Sequence, residues 1–69
     1  MKMIGERIKT ERESKGISRY RLSKDTGIPY TTLADVERGK VKDIKFENLN
    51  AIAKALGVLI TTFLEVSNG

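Results

Sequence analysis

The sequence predicts an all-α domain built from five short helices. Three observations carry that prediction. Gly16, Gly27, Gly39 and Gly57 each stand just after a segment of helical spacing, where a left-handed residue ends a helix. Leu49, Ile52, Ala53 and Leu56 recur at offsets of 3, 4 and 7, the stripe of an amphipathic helix. At 69 residues the chain is one domain, 1–69, with its core at about 4–66, too short to give a lone strand a partner.

The first helix is expected from about Ile4 to Lys15, with Ile4 and Ile8 one turn apart and Arg12 next on that stripe. The second runs from about Arg19 to Thr26 behind Ser18, an N-cap residue, with Leu22, Ser23 and Thr26 on one face. Ser23 is small enough for a neighbouring backbone to come close. Gly27-Ile28-Pro29 is a tight connection, and Pro29 suits the first turn of a new helix, where its missing N–H costs nothing. The third helix then reaches about Arg38, with Leu33 and Val36 inward and Ile28 packing at the turn. A basic loop follows, Lys40-Val41-Lys42-Asp43-Ile44-Lys45, and then the fourth helix, about Glu47 to Leu56, with Phe46 at its start. The fifth, about Ile60 to Val66, contains several β-branched residues that also suit a strand. The absence of a partner strand decides for a short helix.

Composition removes several function classes. There is no cysteine and no histidine, which excludes disulfides, thiolate metal sites and the usual general base. The nine acidic residues are scattered, without the alternating loop of a calcium site, so no metal and no cofactor is expected. With no glycine-rich phosphate loop and little room for a pocket, an enzyme is not expected either. The longest apolar run is Val58-Leu59-Ile60 and the start of the chain turns charged at once. No membrane association is therefore expected, and a cytoplasmic location is. A small core without disulfide or metal leaves self-association as the available means of stabilisation.

Charge adds a direction. The formal net charge is +4, and residues 15–45 carry eight basic and four acidic side chains, so the excess lies in the middle of the chain. That pattern suits a polyanion-binding face, and it suits a plain solvated surface as well. The second and third helices are joined through one glycine and about three residues, the spacing of a helix-turn-helix.

The stretch from Leu22 to Lys40 resembles the Cro/repressor-type (XRE) helix-turn-helix family. The matching register is Leu22-Ser23, Gly27-Ile28, Leu33, Val36 and Glu37-Arg38-Gly39-Lys40. It extends upstream to Ile8, Arg12, Lys15-Gly16 and Ile17-Ser18, and downstream to Leu49, Ile52-Ala53-Lys54-Ala55-Leu56-Gly57-Val58 and Phe63-Leu64. The resemblance implies a lambda-repressor-like fold with the helix-turn-helix at helices 2 and 3. It implies double-stranded DNA as the ligand and, as the function, a transcriptional regulator that by family habit is a repressor and a homodimer. The third helix would enter the major groove, and its outward residues Tyr30, Thr31 and Asp35 would face the bases.

Thr31 can hydrogen-bond or touch a thymine methyl. Tyr30 can pack on a methyl, reach a phosphate or serve as an oligomer contact. Asp35 can accept from cytosine N4 or instead pair with nearby Arg38 or a lysine. Phosphate contacts are expected from Ser18, Arg19, Arg38, Lys40, Lys42 and Lys45. Arg19 departs from the glutamine that family members often carry there. By the same resemblance Arg12 and Glu37 form a partly buried ion pair that ties helices together.

Leu59 stands where many members have a polar capping residue. With Phe63 or Val66 it would form an apolar dimer patch, or else it closes the core. The scaffold also hosts protein-interaction modules, so a toxin or a polymerase is the alternative partner.

Overall fold

The computed structural model describes residues 3–41 and 43–64. Four helices follow one another: α1 (Ile4–Ser14), α2 (Arg19–Thr26), α3 (Tyr30–Glu37) and α4 (Phe46–Leu56). The expected fifth helix is instead a single 3-10 turn, Ile60–Thr62, so the five-helix count is corrected to four among the described residues. The i to i+3 bonds that define this turn run from Thr62 N–H to the Leu59 carbonyl (2.9 Å) and from Phe63 N–H to the Ile60 carbonyl (3.0 Å). Ile60, Thr61 and Thr62 are all β-branched and lose side-chain freedom in an α-helix. One tight turn is enough to place Phe63 in the core, fully buried.

The core is built from the stripes the spacing marks. Ile8, Leu22, Leu33, Ile52 and Phe63 are fully buried, and Ile28, Val36, Leu49, Ala53 and Leu56 join them. Residue 5 adds a contact of a different kind. Gly5 is buried where α1 meets α3, and an added Cβ there would overlap the Val36 carbonyl oxygen. The two helices therefore touch nearly backbone to backbone.

The connection between α2 and α3 is fixed by three local bonds. The Ser23 hydroxyl donates to the Ile28 carbonyl (2.6 Å), so the turn's backbone does come in over this small residue. The Thr26 hydroxyl donates to the Leu22 carbonyl (2.8 Å) and accepts from Ile28 N–H (3.2 Å). Gly27 lies at φ +78°, a left-handed conformation that side chains resist, and its N–H bonds the Ser23 carbonyl (2.9 Å). At the other end of α2 the Ser18 side chain accepts from Arg21 N–H (3.0 Å), a true N-cap. Ser18→Ala is expected to cost about 1 kcal/mol of stability. A urea midpoint lowered without a change in slope is the outcome that measures it.

Candidate nucleic-acid interface

Helix α3 turns Leu33, Ala34, Val36 and Glu37 inward. The periodicity of 3.6 then puts Thr31, Asp35 and Arg38 along one outward stripe, with Tyr30 at its edge toward α2. Thr31 and Arg38 are exposed, Tyr30 is 46% exposed and Asp35 is half-buried. Among the described residues Asp35 forms no ion pair with Arg38; the pairs formed lie elsewhere.

The inward end of α3 carries a charged cluster. Arg12 Nε donates to Glu37 Oε2 (2.8 Å) and Arg12 Nη2 to Glu37 Oε1 (3.0 Å), a bidentate pair. Arg12 Nη1 also donates to the Ile17 carbonyl (2.8 Å), which brings the end of α1 to the start of α2. The Glu37 side chain is 1% exposed, and no buried side-chain polar atom among the described residues lacks a partner.

Arg19 takes part in this cluster, which the spacing does not disclose. Its Nε and Nη2 both donate to Glu37 Oε1, at 3.1 and 3.0 Å. Its Nη1 donates to the Tyr30 hydroxyl (3.4 Å), and its guanidinium carbon stands 5.5 Å from the centre of the Tyr30 ring. The hydrogen bond to Glu37 raises the Arg19 pKa above its ordinary value, against some desolvation and with help from Tyr30, so its charge is permanent. The Arg19 side chain, expected as a phosphate contact, is thus also held on the protein itself. Two of its five N–H groups remain for an outside acceptor.

The other expected phosphate contacts are placed around α3. Ser18 is exposed, and its hydroxyl proton is free to donate while its oxygen serves the cap. Arg38, Lys40 and Lys45 are exposed after α3 and before α4. Lys42 lies outside the described residues. Phe46, at the first turn of α4, is 68% exposed beside Lys45, a large apolar surface that the sequence reading takes only as the start of a helix.

The apolar patch divides. Leu59 is 76% exposed, whereas Phe63 is fully buried and cannot be part of a surface, and Val66 lies outside the described residues. Phe63 belongs to the buried core cluster and Ile60 packs against that cluster, so this end of the chain turns its apolar side chains onto the core. Leu64 is also exposed, at 38%. No helix among the described residues is long and apolar enough to cross a membrane.

Comparison with known proteins agrees with this geometry. The SinR regulator of Bacillus subtilis, described as the master regulator for biofilm formation and solved in complex with DNA, is 32% identical, with a TM-score of 0.87 over 91% of this chain and 100% of that one. In the complex of SinR with SinI, SinR is again 32% identical, with a TM-score of 0.86 over 91% of this chain and 61% of that one. The P22 c2 repressor in complex with a synthetic operator is 29% identical, with a TM-score of 0.84 over 94% of this chain and 97% of that one. Among curated proteins no sequence match is found. A family model, the Cro/C1-type helix-turn-helix DNA-binding domain, matches residues 7–68. With that match over most of its length, and with α2, the Gly27 turn and α3 arranged as described, the chain belongs to the Cro/C1-type helix-turn-helix DNA-binding family.

Proposed function

We propose that the chain is a sequence-specific regulator of transcription that lays α3 in the major groove of duplex DNA and acts as a repressor. The observation that carries the reading is the outward stripe of α3. Thr31 and Arg38 are exposed along it with the half-buried Asp35 between them, while the opposite side of the same helix is locked by a buried ion cluster. SinR and the P22 c2 repressor, both solved on DNA, support it. Thr31 and Asp35 are the proposed base readers, with Tyr30 beside them. Ser18, Arg19, Arg38, Lys40, Lys42 and Lys45 are the proposed phosphate contacts. A homodimer is proposed on two grounds: regulators of this type read two half-sites about one helical turn apart, and Leu59 is exposed. Enrichment from a random duplex pool tests the reading; an inverted repeat is expected, and no enrichment with no salt-sensitive binding would count against it.

The two kinds of contact separate by salt. Lys40→Ala and Lys45→Ala are each expected to weaken binding to all duplexes alike. Each should also lower the slope of log affinity against log salt by about 0.9. Thr31→Ala and Asp35→Ala are expected to change the preferred sequence and leave that slope in place. Fluorescence anisotropy over a salt series reads both effects.

The complex of SinR with SinI favours a second reading, in which the same scaffold also takes a protein partner. Binding to DNA and to a protein are compatible on separate faces.

A further inference from the structure

We infer that Arg19 is a positioning residue of the DNA interface: it braces the recognition helix α3 against α2 at both ends and holds the Tyr30 ring where the helix meets DNA. The inference rests on the proposed DNA reading and adds to it a role that a simple phosphate contact would not have.

Arg19 is the first residue of α2, Tyr30 the first of α3 and Glu37 the last of α3. One guanidinium therefore spans the recognition helix. Its Nε and Nη2 hold Glu37 Oε1 at 3.1 and 3.0 Å, and its Nη1 reaches the Tyr30 hydroxyl at 3.4 Å. The Glu37 carboxylate is itself fixed by Arg12 from α1, so the brace is anchored in the core. A planar fork makes these contacts together; a lysine ammonium keeps the charge and cannot span them.

Tyr30, 46% exposed, would otherwise turn freely about its side-chain bonds. Held by Arg19, it presents one face and one hydroxyl before DNA arrives. The ordering cost is met in the free protein, and binding gains by that amount. The two remaining N–H groups of Arg19, next to the Tyr30 hydroxyl, offer a single phosphate a ready-made cradle.

Charge and geometry are separated by Arg19→Lys. The probes are the duplex that the wild-type chain enriches from a random pool and a scrambled duplex of the same composition. The expected result is a loss of roughly tenfold in affinity for the enriched duplex and little change for the scrambled one. Tyr30→Phe leaves every Glu37 contact intact and so guards against a folding defect. It should lower the same preference by a smaller factor. Arg19→Lys combined with Tyr30→Phe should bind no more weakly than Arg19→Lys alone, because the two act as one unit.

Equal losses on both duplexes, or fully multiplicative losses in the double variant, would overturn the positioning role and leave DNA binding in place. A wild-type chain that enriches no duplex and binds none in a salt-sensitive way would overturn the DNA reading and the inference with it.

Discussion

Glu37→Ala is expected to remove most of the stability of the domain. The Glu37 side chain is 1% exposed and accepts four hydrogen bonds from two arginines, at 2.8 to 3.1 Å. Its loss leaves Arg12, whose side chain is 8% exposed, with the Ile17 carbonyl as its remaining acceptor. Breaking a buried pair by removing one member costs roughly 3–5 kcal/mol, because the other charge stays behind unpaired.

A chain of 69 residues has little to set against that. At about 0.05–0.15 kcal/mol per residue its whole stability is roughly 3–10 kcal/mol. Thermal unfolding followed by circular dichroism should show the transition lowered by tens of degrees or lost. Replacing both partners by apolar residues of similar volume, Arg12→Met with Glu37→Leu, should recover much of the loss, since the stranded charge is gone. An unchanged melting temperature in Glu37→Ala would refute the cluster as a stabilising element.

Gly5→Ala is the second large effect, and its sign opposes helix propensity. Alanine in a helix is favoured over glycine by about 1 kcal/mol. At residue 5 the added Cβ would overlap the Val36 carbonyl oxygen and lie 2.9 Å from the Val36 carbonyl carbon and 3.1 Å from Glu37 Cα. All three are backbone atoms of α3, which cannot swing aside as a side chain does. The helices must part, and Ile8 and Arg12, next along the same face of α1, part with them. Overpacking of this kind costs roughly 1–3 kcal/mol, enough to overcome the propensity gain. A lower melting temperature is expected, and a higher one would show that α1 and α3 tolerate the separation.

The residues show why some of this was legible in the sequence. Ile8, Leu22, Leu33, Val36, Leu49, Ile52 and Leu56 could be assigned inward because burial follows a period that spacing reveals. The turn between α2 and α3 was legible because Gly27 and Pro29 allow few backbone paths. The Arg12–Glu37 pair came from family resemblance, since no spacing joins residues on α1 and α3. Arg19 was read only as a phosphate contact because the partner of a long side chain depends on where another helix ends. Gly5 gave no signal, as close backbone approach between helices is a property of packing. Phe63 was set beside Leu59 as a surface alternative because both are apolar; which of two nearby apolar residues fills the core depends on packing, and Phe63 is the one fully buried.

The proposed interface is legible in the sequence as a place more than as a set of partners. Tyr30, Thr31 and Asp35 were located by the inward direction of Leu33 and Val36. Their chemistry does not specify a base sequence, and Tyr30 turns out to be tied to α2 through Arg19. On the proposed reading, selectivity rests on Thr31 and Asp35 at the groove and on the Arg19 brace that holds Tyr30 beside them.

The central claim is that the outward stripe of α3 is the surface that meets DNA. An NMR titration of the nitrogen-labelled chain with the duplex enriched from a random pool tests it most directly. The account predicts that amide shifts concentrate at residues 30–35, at 38–45 and at the start of α2 around Ser18 and Arg19. Shifts confined to residues 59–64 and to the outward face of α1, with 30–38 unmoved, would contradict it.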